Sequence, residues 1–580
     1  PSGTSVVIPA GTVIKTEGYI SVSGTLQAQG TATNPVIFTS LNDDSVGGDT
    51  NNDGNASSPA PGDWSQLSAQ FSGRVEMDHT IVRYGGQAAY PSTYTGMLYA
   101  ESDGTLALSD TEVSRSFSSG VYVSYSGTAL LDQVTVTDND FHGIWVFPRG
   151  TNTSATLVLT DSTVANSVHQ GVRAEDLSGS TLVTVSGSSF VNNHTGVEVT
   201  DNAQVTLRNN TFTGQTDAAL TLRSLSSSAS LSLENNTGSD NGRNGIRLMH
   251  GLGTSLTLPA HDPSFPYMFY NLTIPSGTSV VIPAGTVIKT EGRTQVNGTL
   301  RAQGTAANPV IFTSLNDDSV GGDTNNDGNA SSPAPGDWYQ LSAQFGGRVE
   351  MDHTIVRFGG RATSPSVFTG MLYAESDGTL VLNHTEVSRS FSSGIYVSYS
   401  GTALLDQVTV TENDFHGIWV FPRGTNTSAT FTAVKSLIAG NSQSGVAIER
   451  TGVGSIDVSV TESIILGNGA WGINNSVQTS IIHAEGNYWG SPSGPAPYGT
   501  GNGINYRTCY DSFKKVNYIC QFYVDADPWV GQAYDTTSQL GSGSPIARYQ
   551  AWEADPVNTA TGNHAYSYTD LSIPTRGLPL

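Results

Sequence analysis

Two seven-residue phrases carry the densest candidate chemistry in this chain: Asp49-Thr-Asn-Asn-Asp-Gly-Asn55 and its repeat at Asp323–Asn329. Side-chain oxygens at positions 1, 3 and 5 come from Asp49, Asn51 and Asp53, and in the repeat from Asp323, Asn325 and Asp327. Such oxygens can converge on one hard cation, and glycine at position 6 permits the sharp turn that brings them round. Asn55 and Asn329 would add a backbone carbonyl. The bidentate Glu expected at position 12 is missing, with Ala60 and Ala334 in its place. Asp43, Asp44 or Asp63 could substitute, as could Asp317, Asp318 or Asp337, and Asp63 and Asp337 complete the predicted ligand sets. Five carboxylates within 21 residues (Asp43 to Asp63) repel one another unless neutralised. Calcium in a structural role is the expected answer; the bland alternative is an uncoordinated acidic surface loop.

The other reactive side chains are weaker candidates. Asp78-His79 and Asp352-His353 look like an acid–base dyad, but they fall inside a strand pattern, where neighbours should point to opposite faces. His142 and His416 lie in Asp-Phe-His-Gly-Ile-Trp-Val-Phe, which would offer carbohydrate a stacking face with Asp140 or Asp414 on its hydroxyls. The bland reading puts His and Asp on a turn and the aromatics in a core. No clustered set of acids and bases stands out for polysaccharide cleavage, so no catalytic residue is expected. Cys509 and Cys520, the only cysteines, are predicted to close a local disulfide.

These residues must be positioned by a repeating scaffold. Residues 1–156 recur almost letter for letter at 275–430. Nested inside is Asn/Ser-x-x-x-Gly-(Val/Ile)-x-apolar, with glycines at 120, 143, 171, 196 and 245, then 394, 417, 445 and 472. Most neighbours are 23–28 residues apart, a period that means a solenoid. Apolar residues alternate, as in Val121-Tyr-Val123 and Leu106-Ala-Leu108, so the unit is built of strands. Three short strands and three turns fill one coil of a parallel β-helix, in which each repeat glycine is expected to supply a positive φ. About 18–20 coils at about 4.8 Å would make a rod on the order of 90 Å long. Asn139, Asn192, Asn241, Asn413, Asn441 and Asn468, four places before repeat glycines, are expected to form amide ladders from coil to coil.

A net charge of −24 argues against nucleic acid and anionic lipid as partners. No apolar run is long enough to span a membrane. Ser, Thr, Asn and Gly abundance with an acidic surface suits an extracellular or bacterial cell-surface location.

Gly486-Asn-Tyr-Trp-Gly-Ser-Pro-Ser-Gly-Pro495 and Asp525-Ala-Asp-Pro-Trp529 resemble the closing segment of bacterial right-handed parallel β-helix surface proteins. Pro9-Ala-Gly-Thr-Val-Ile-Lys15 and Gly30-Thr-Ala-Thr-Asn-Pro-Val-Ile-Phe-Thr39 look like the opening coils of the same group. Asp555-Pro-Val-Asn558, Thr561-Gly-Asn563 and Asp570–Leu580 resemble the opening of the core of Rhs (YD-repeat) proteins. The resemblance implies an all-β, right-handed parallel β-helix solenoid, two near-identical tandem copies forming one rod that leads into a larger secreted protein. The expected division is a first module at 1–274, a second with a C-terminal cap at 275–530, a linker at 531–547 and an Rhs-like start at 548–580. The expected function is a secreted or cell-surface structural or adhesive rod, non-enzymatic, calcium-binding, possessing as partners other copies of itself (in a filament) or extracellular glycans and proteins. The alternative is a polysaccharide-binding or polysaccharide-cleaving enzyme on the same fold.

Overall fold

The computed structural model describes residues 1–54, 56–87, 95–150, 152–176, 179–259, 261–361, 369–425, 427–450, 454–477, 480–511, 514–531, 557–558 and 563–564. Two compact units divide the chain. The first comprises Pro1–Gly304, Val310–Ser342 and Gly347–Val349; the second comprises Thr305–Pro309, Ala343–Gly346 and Glu350–Leu580.

In the first unit the coils lay down one strand on each of three faces, except the coil of Leu256–Thr257 and Tyr267–Ile274, which has only these two strands. One face is a nine-stranded parallel sheet from Ser5–Pro9 through Thr25–Gln29 and Arg74–Asp78 to Ser230–Glu234, and a second runs from Val13–Thr16 to Thr237–Ser239. Register is kept from coil to coil, with Leu106 between Val75 and Ala129 and Val121 between Leu98 and Ile144, and shifts locally where Arg243–Leu252 pairs with its neighbours. Alternate residues therefore stack in columns, which is why period-two sequence becomes a continuous apolar interior. Val75, Leu106, Ala129 and Leu157 are all fully buried. Strand Tyr267–Ile274 carries the stack from the first sequence copy into the second. It pairs with Arg243–Leu252 on one side, and on the other with Val287–Thr290 and Arg293–Val296. The second unit repeats the plan, for example in Thr379–Asn383, Thr402–Asp406, Ser428–Val434 and Ser455–Thr461.

The corners correct one expectation. None of the repeat glycines has a positive φ; that conformation falls on polar residues such as His79, Asp110, Gln133 and Asp161, and again on His353, His384, Gln407 and Lys435. The repeat glycines are needed for space instead. A Cβ on Gly417 would lie 2.7 Å from the Gly445 carbonyl oxygen of the next coil. That backbone approach leaves no room for a side chain.

Interior polar groups pair from coil to coil at two corners. At one, the Asn413 amide nitrogen donates to Asn441 Oδ1 (2.8 Å), Asn441 to Asn468 Oδ1 (2.9 Å) and Asn468 to Asn502 Oδ1 (2.8 Å). In the first unit Asn139 Oδ1 accepts the Ser116 N–H, and Gln215 interposes between Asn193 and Asn241. The ladder member there is Asn193, fully buried, not the expected Asn192, which takes the positive-φ corner. A second ladder escaped the sequence reading: Ser188 Oγ accepts the Ser162 N–H, Asn210 Oδ1 the Ser188 N–H, and Asn236 Oδ1 the Asn210 N–H.

The C-terminal part carries an antiparallel hairpin, Tyr506–Asp511 with Val516–Phe522. Cys509 on it is disulfide-bonded; the side chain of Cys520 lies outside the described ones. The expected linker at 531–547 and Rhs-like start at 548–580 also lie outside the described residues, apart from Gly531 and the short pairing of Val557–Asn558 with Asn563–His564.

Candidate functional site

Each acidic loop leaves the coil after a buried strand, Val36–Ser40 or Val310–Ser314, and its carboxylates divide into two kinds. The first kind fastens the base. Asp43 is buried, accepts hydroxyl hydrogen bonds from Thr39 and Ser45, and pairs with Arg83 at 2.7 Å. Burial pushes its carboxyl up, but the hydroxyls of Ser45 and Thr39 and the Arg83 guanidinium together hold it below the usual value. Asp63 Oδ2 accepts from Ser40 Oγ, Asn42 Nδ2 and the Ala60 N–H, and Asp337 does the same with Ser314, Asn316 and Ala334. Asp63 and Asp337, expected as ligands, are thus clasps of the loop base and stand outside the convergent groups.

The second kind converges. Carboxylate oxygens of Asp44, Asp49 and Asp53 lie within 4.8 Å of one another, as do those of Asp318, Asp323 and Asp327. Asp49 shapes the turn by accepting the Asp53 and Gly54 N–H groups, at 3.2 and 2.9 Å; Asp323 accepts those of Asp327 and Gly328, at 3.1 and 2.8 Å. Gly54 and Gly328 each have φ 68°, with nothing near the place of a Cβ, so glycine serves conformation here. Asp44 Oδ1 and Asp53 Oδ1, with Asp318 Oδ1, Asn325 Oδ1 and Asp327 Oδ1, are shielded from solvent and have no hydrogen-bond partner among the described residues. Buried acceptors left unpaired are costly, and several aimed together suit a hard cation. Lys15 Nζ, 3.7 Å from Asp44 Oδ1, offsets only part of the charge. Asp318 is pushed up by burial and then by Asp323, with Lys289 pulling the other way and Asp327 and Asp317 adding to the rise. Asn51 donates to Asn42, Asp53 and Ser57, while its Oδ1 accepts the Asp53 N–H. Asn329 is exposed, and Asn55 lies outside the described residues.

The two dyads differ from expectation. Asp78 ends one strand, His79 is the positive-φ corner, and Thr80 begins the next strand. The corner swings the two side chains together, with His79 Nδ1 2.7 Å from Asp78 Oδ1, whereas uninterrupted strand would have separated them. Asp352 and His353 meet likewise, at 2.8 Å.

In the Phe-His-Gly-Ile-Trp phrase the interior positions are Ile144 and Val146, while Trp145 lies on the outer face. There Tyr99, Tyr122 and Trp145 form a stack with centroid spacings of 4.9 and 4.8 Å, and Trp145 Nε1 donates to Glu175 at 2.6 Å. Tyr373, Tyr396 and Trp419 repeat it at 4.8 and 4.9 Å. Tyr373, Tyr396 and Trp419 form a buried cluster with Ala447, and His142 and His416 are buried at the turns that precede Ile144–Val146 and Ile418–Phe421. Burial holds His142 well below the ordinary imidazole range and lowers His416 to about 4.

A groove of about 450 Å³ crosses the first face, lined by Gln27, Arg74, Glu76, Asp78, Leu130 and Asp132 among others, none aromatic. Its acids are engaged: Glu76 with Arg74 and Gln27, Asp78 with His79, Asp132 with Thr160.

Among the described residues no helix is long and apolar enough to cross a membrane. A search of curated proteins finds no match. Among solved structures the chain is similar to one titled "Crystal structure of TibC-catalyzed hyper-glycosylated TibA55-350 fragment". Identity is 11%, with 78% of this chain and 100% of that chain covered, at a TM-score of 0.15, too low to carry an argument. The family model of the right handed beta helix region matches residues 119–258. With the parallel stacking of those same residues, that match makes the fold an all-β, right-handed parallel β-helix solenoid.

Proposed function

We propose that this chain is a secreted or cell-surface structural and adhesive β-helix module whose two acidic loops are braced by calcium. The observation that carries the calcium is the convergence of shielded, unpartnered oxygens at the same places in both loops. Support for the structural role comes from the interior ladders, where polar side chains hold coil to coil. Such a module would space or present an Rhs-type region and contact other copies of itself or extracellular glycans and proteins. The groove beside Asp78 and Asp132 favours a second reading, a polysaccharide-binding or polysaccharide-cleaving surface. Cleavage requires a free acid and base converging on one bond, and the acids of that groove already have partners. The test is a panel of acidic and neutral glycans incubated with the purified chain, with and without calcium. No chain shortening is expected; shortening that disappears in Asp78→Ala or Asp140→Ala would install the enzyme reading.

A further inference from the structure

The corner that joins Asp352 and His353 brings in a third group from the next coil. The His353 N–H donates to the Asn383 carbonyl at 3.1 Å, which stacks the corner of His384 directly against it. Both histidines are at positive φ, 43° and 46°, and their rings lie parallel, with centroids 4.4 Å apart and 14° between planes. Both Nδ1 atoms face one oxygen: Asp352 Oδ1 is 2.8 Å from that of His353 and 3.1 Å from that of His384. The His353 Nδ1 is shielded from solvent and, despite that proximity, has no hydrogen bond of acceptable geometry among the described residues. Donor atoms of all three residues lie within 4.8 Å of one another.

We propose that Asp352, His353 and His384 bind a divalent transition-metal ion of the zinc class, clamping two successive coils and leaving a coordination position open to solvent. Two imidazoles and one carboxylate are a borderline-soft set that prefers zinc to calcium. In a tetrahedral site with bonds of about 2.0–2.1 Å, adjacent donors stand about 3.3 Å apart. The observed separations to Asp352 are a few tenths of an ångström shorter, so an ion needs a slight spreading of the donors and a tilt of each ring about Cβ–Cγ. Asp352 keeps half of its side chain exposed, and the histidines about a quarter, so the ion has access from solvent.

The sequence repeat supplies its own control. The corresponding corner of the first copy is Asp78, His79 and Asp110, whose donors also lie within 4.8 Å. One carboxylate there replaces one imidazole, giving a harder set with less affinity for zinc. Asp110 occupies its corner at φ 46°, the same as His384, so exchanging the two residues keeps a backbone conformation that both already adopt.

The experiment strips the full chain with chelator and titrates it with Zn²⁺, and with Co²⁺ for its visible absorption, in about 10 mM Ca²⁺ to fill the acidic loops. One equivalent of zinc is expected. His384→Asp should weaken it by at least the roughly tenfold that loss of even a supporting partner costs, and Asp110→His should add a second equivalent. No zinc uptake would overturn the proposal, showing a corner that shares only a proton. Uptake of full strength in His384→Asp, with no gain in Asp110→His, would place the ion elsewhere and overturn it equally. Circular dichroism of each variant confirms that the coils remain.

Discussion

Replacing Asn441 with alanine tests whether the interior amide ladder holds the second unit together. Asn441 is 1% exposed. Its Oδ1 accepts from the backbone N–H of Asn413 at 3.3 Å and from Asn413 Nδ2 at 2.8 Å; its own Nδ2 donates to Val410 O and Asn468 Oδ1. Truncation leaves both Asn413 donors without their acceptor in a site closed to water. At about 1–3 kcal/mol for each orphaned donor, the loss comes to about 2–6 kcal/mol. In a solenoid, stability is shared chiefly between neighbours, so the effect should concentrate on the coils around 413–468. Urea unfolding followed by tryptophan fluorescence measures the loss, and hydrogen exchange at the Asn413 amide locates it. Asn441→Leu restores most of the volume but neither acceptor, so it should rescue little. A loss below about 0.5 kcal/mol, the range of ordinary surface substitutions, or full rescue by leucine, would refute the ladder as a stabilising device.

Acidification should destabilise the second unit through His416. Burial lowers its folded value to about 4, against about 6.5 in an unfolded chain. The unfolded state therefore binds the proton more readily between those values: the contribution is complete above about pH 6.5, falls through pH 4, and amounts to about 3 kcal/mol. Thermal melts from pH 7 to pH 4 should show this slope, flattened in His416→Gln; an unchanged slope in the variant would remove His416 as its source. Chelation should raise protease sensitivity within residues 42–63 and 316–337. With dissociation constants of about 10⁻⁴–10⁻³ M, about 10 mM calcium stabilises each loop by about 1.4–2.7 kcal/mol. Identical cleavage with chelator and with calcium would count against bound calcium.

Much of the fold was legible because each coil repeats one pattern. Alternation at Val121-Tyr-Val123 and Leu106-Ala-Leu108 identified interior positions correctly, since strand side chains can only alternate. Corners were not legible, because a single positive-φ residue shifts the alternation by only one place, as from Val75 and Met77 to Thr80 and Val82, with no Gly or Pro to mark the turn. That hid the meeting of Asp78 with His79 and shifted the ladder position from Asn192 to Asn193. The ladder of Ser188, Asn210 and Asn236 had a signal, a polar residue two places before a small or apolar strand residue in successive coils, but it was masked by the abundance of Ser and Asn. In the acidic loops, Asp49 and Asp53 at positions 1 and 5 converge with Asp44, one of three acids the sequence offers as the added carboxylate. Asp44 and Asp63 have the same chemistry in sequence; only the fold shows Asp63 consumed by Ser40, Asn42 and Ala60 while Asp44 joins Asp49 and Asp53.

Calcium titration of the chelator-stripped full chain by calorimetry tests the central claim most directly. Two ions per chain are expected, one for Asp44, Asp49 and Asp53 and one for Asp318, Asp323 and Asp327. Asp44→Ala and Asp318→Ala should each leave one ion, and the double variant none, while Asp63→Ala should loosen the first loop without removing a ligand. The absence of calcium binding at millimolar concentration, or a stoichiometry unchanged in the double variant, would contradict the account.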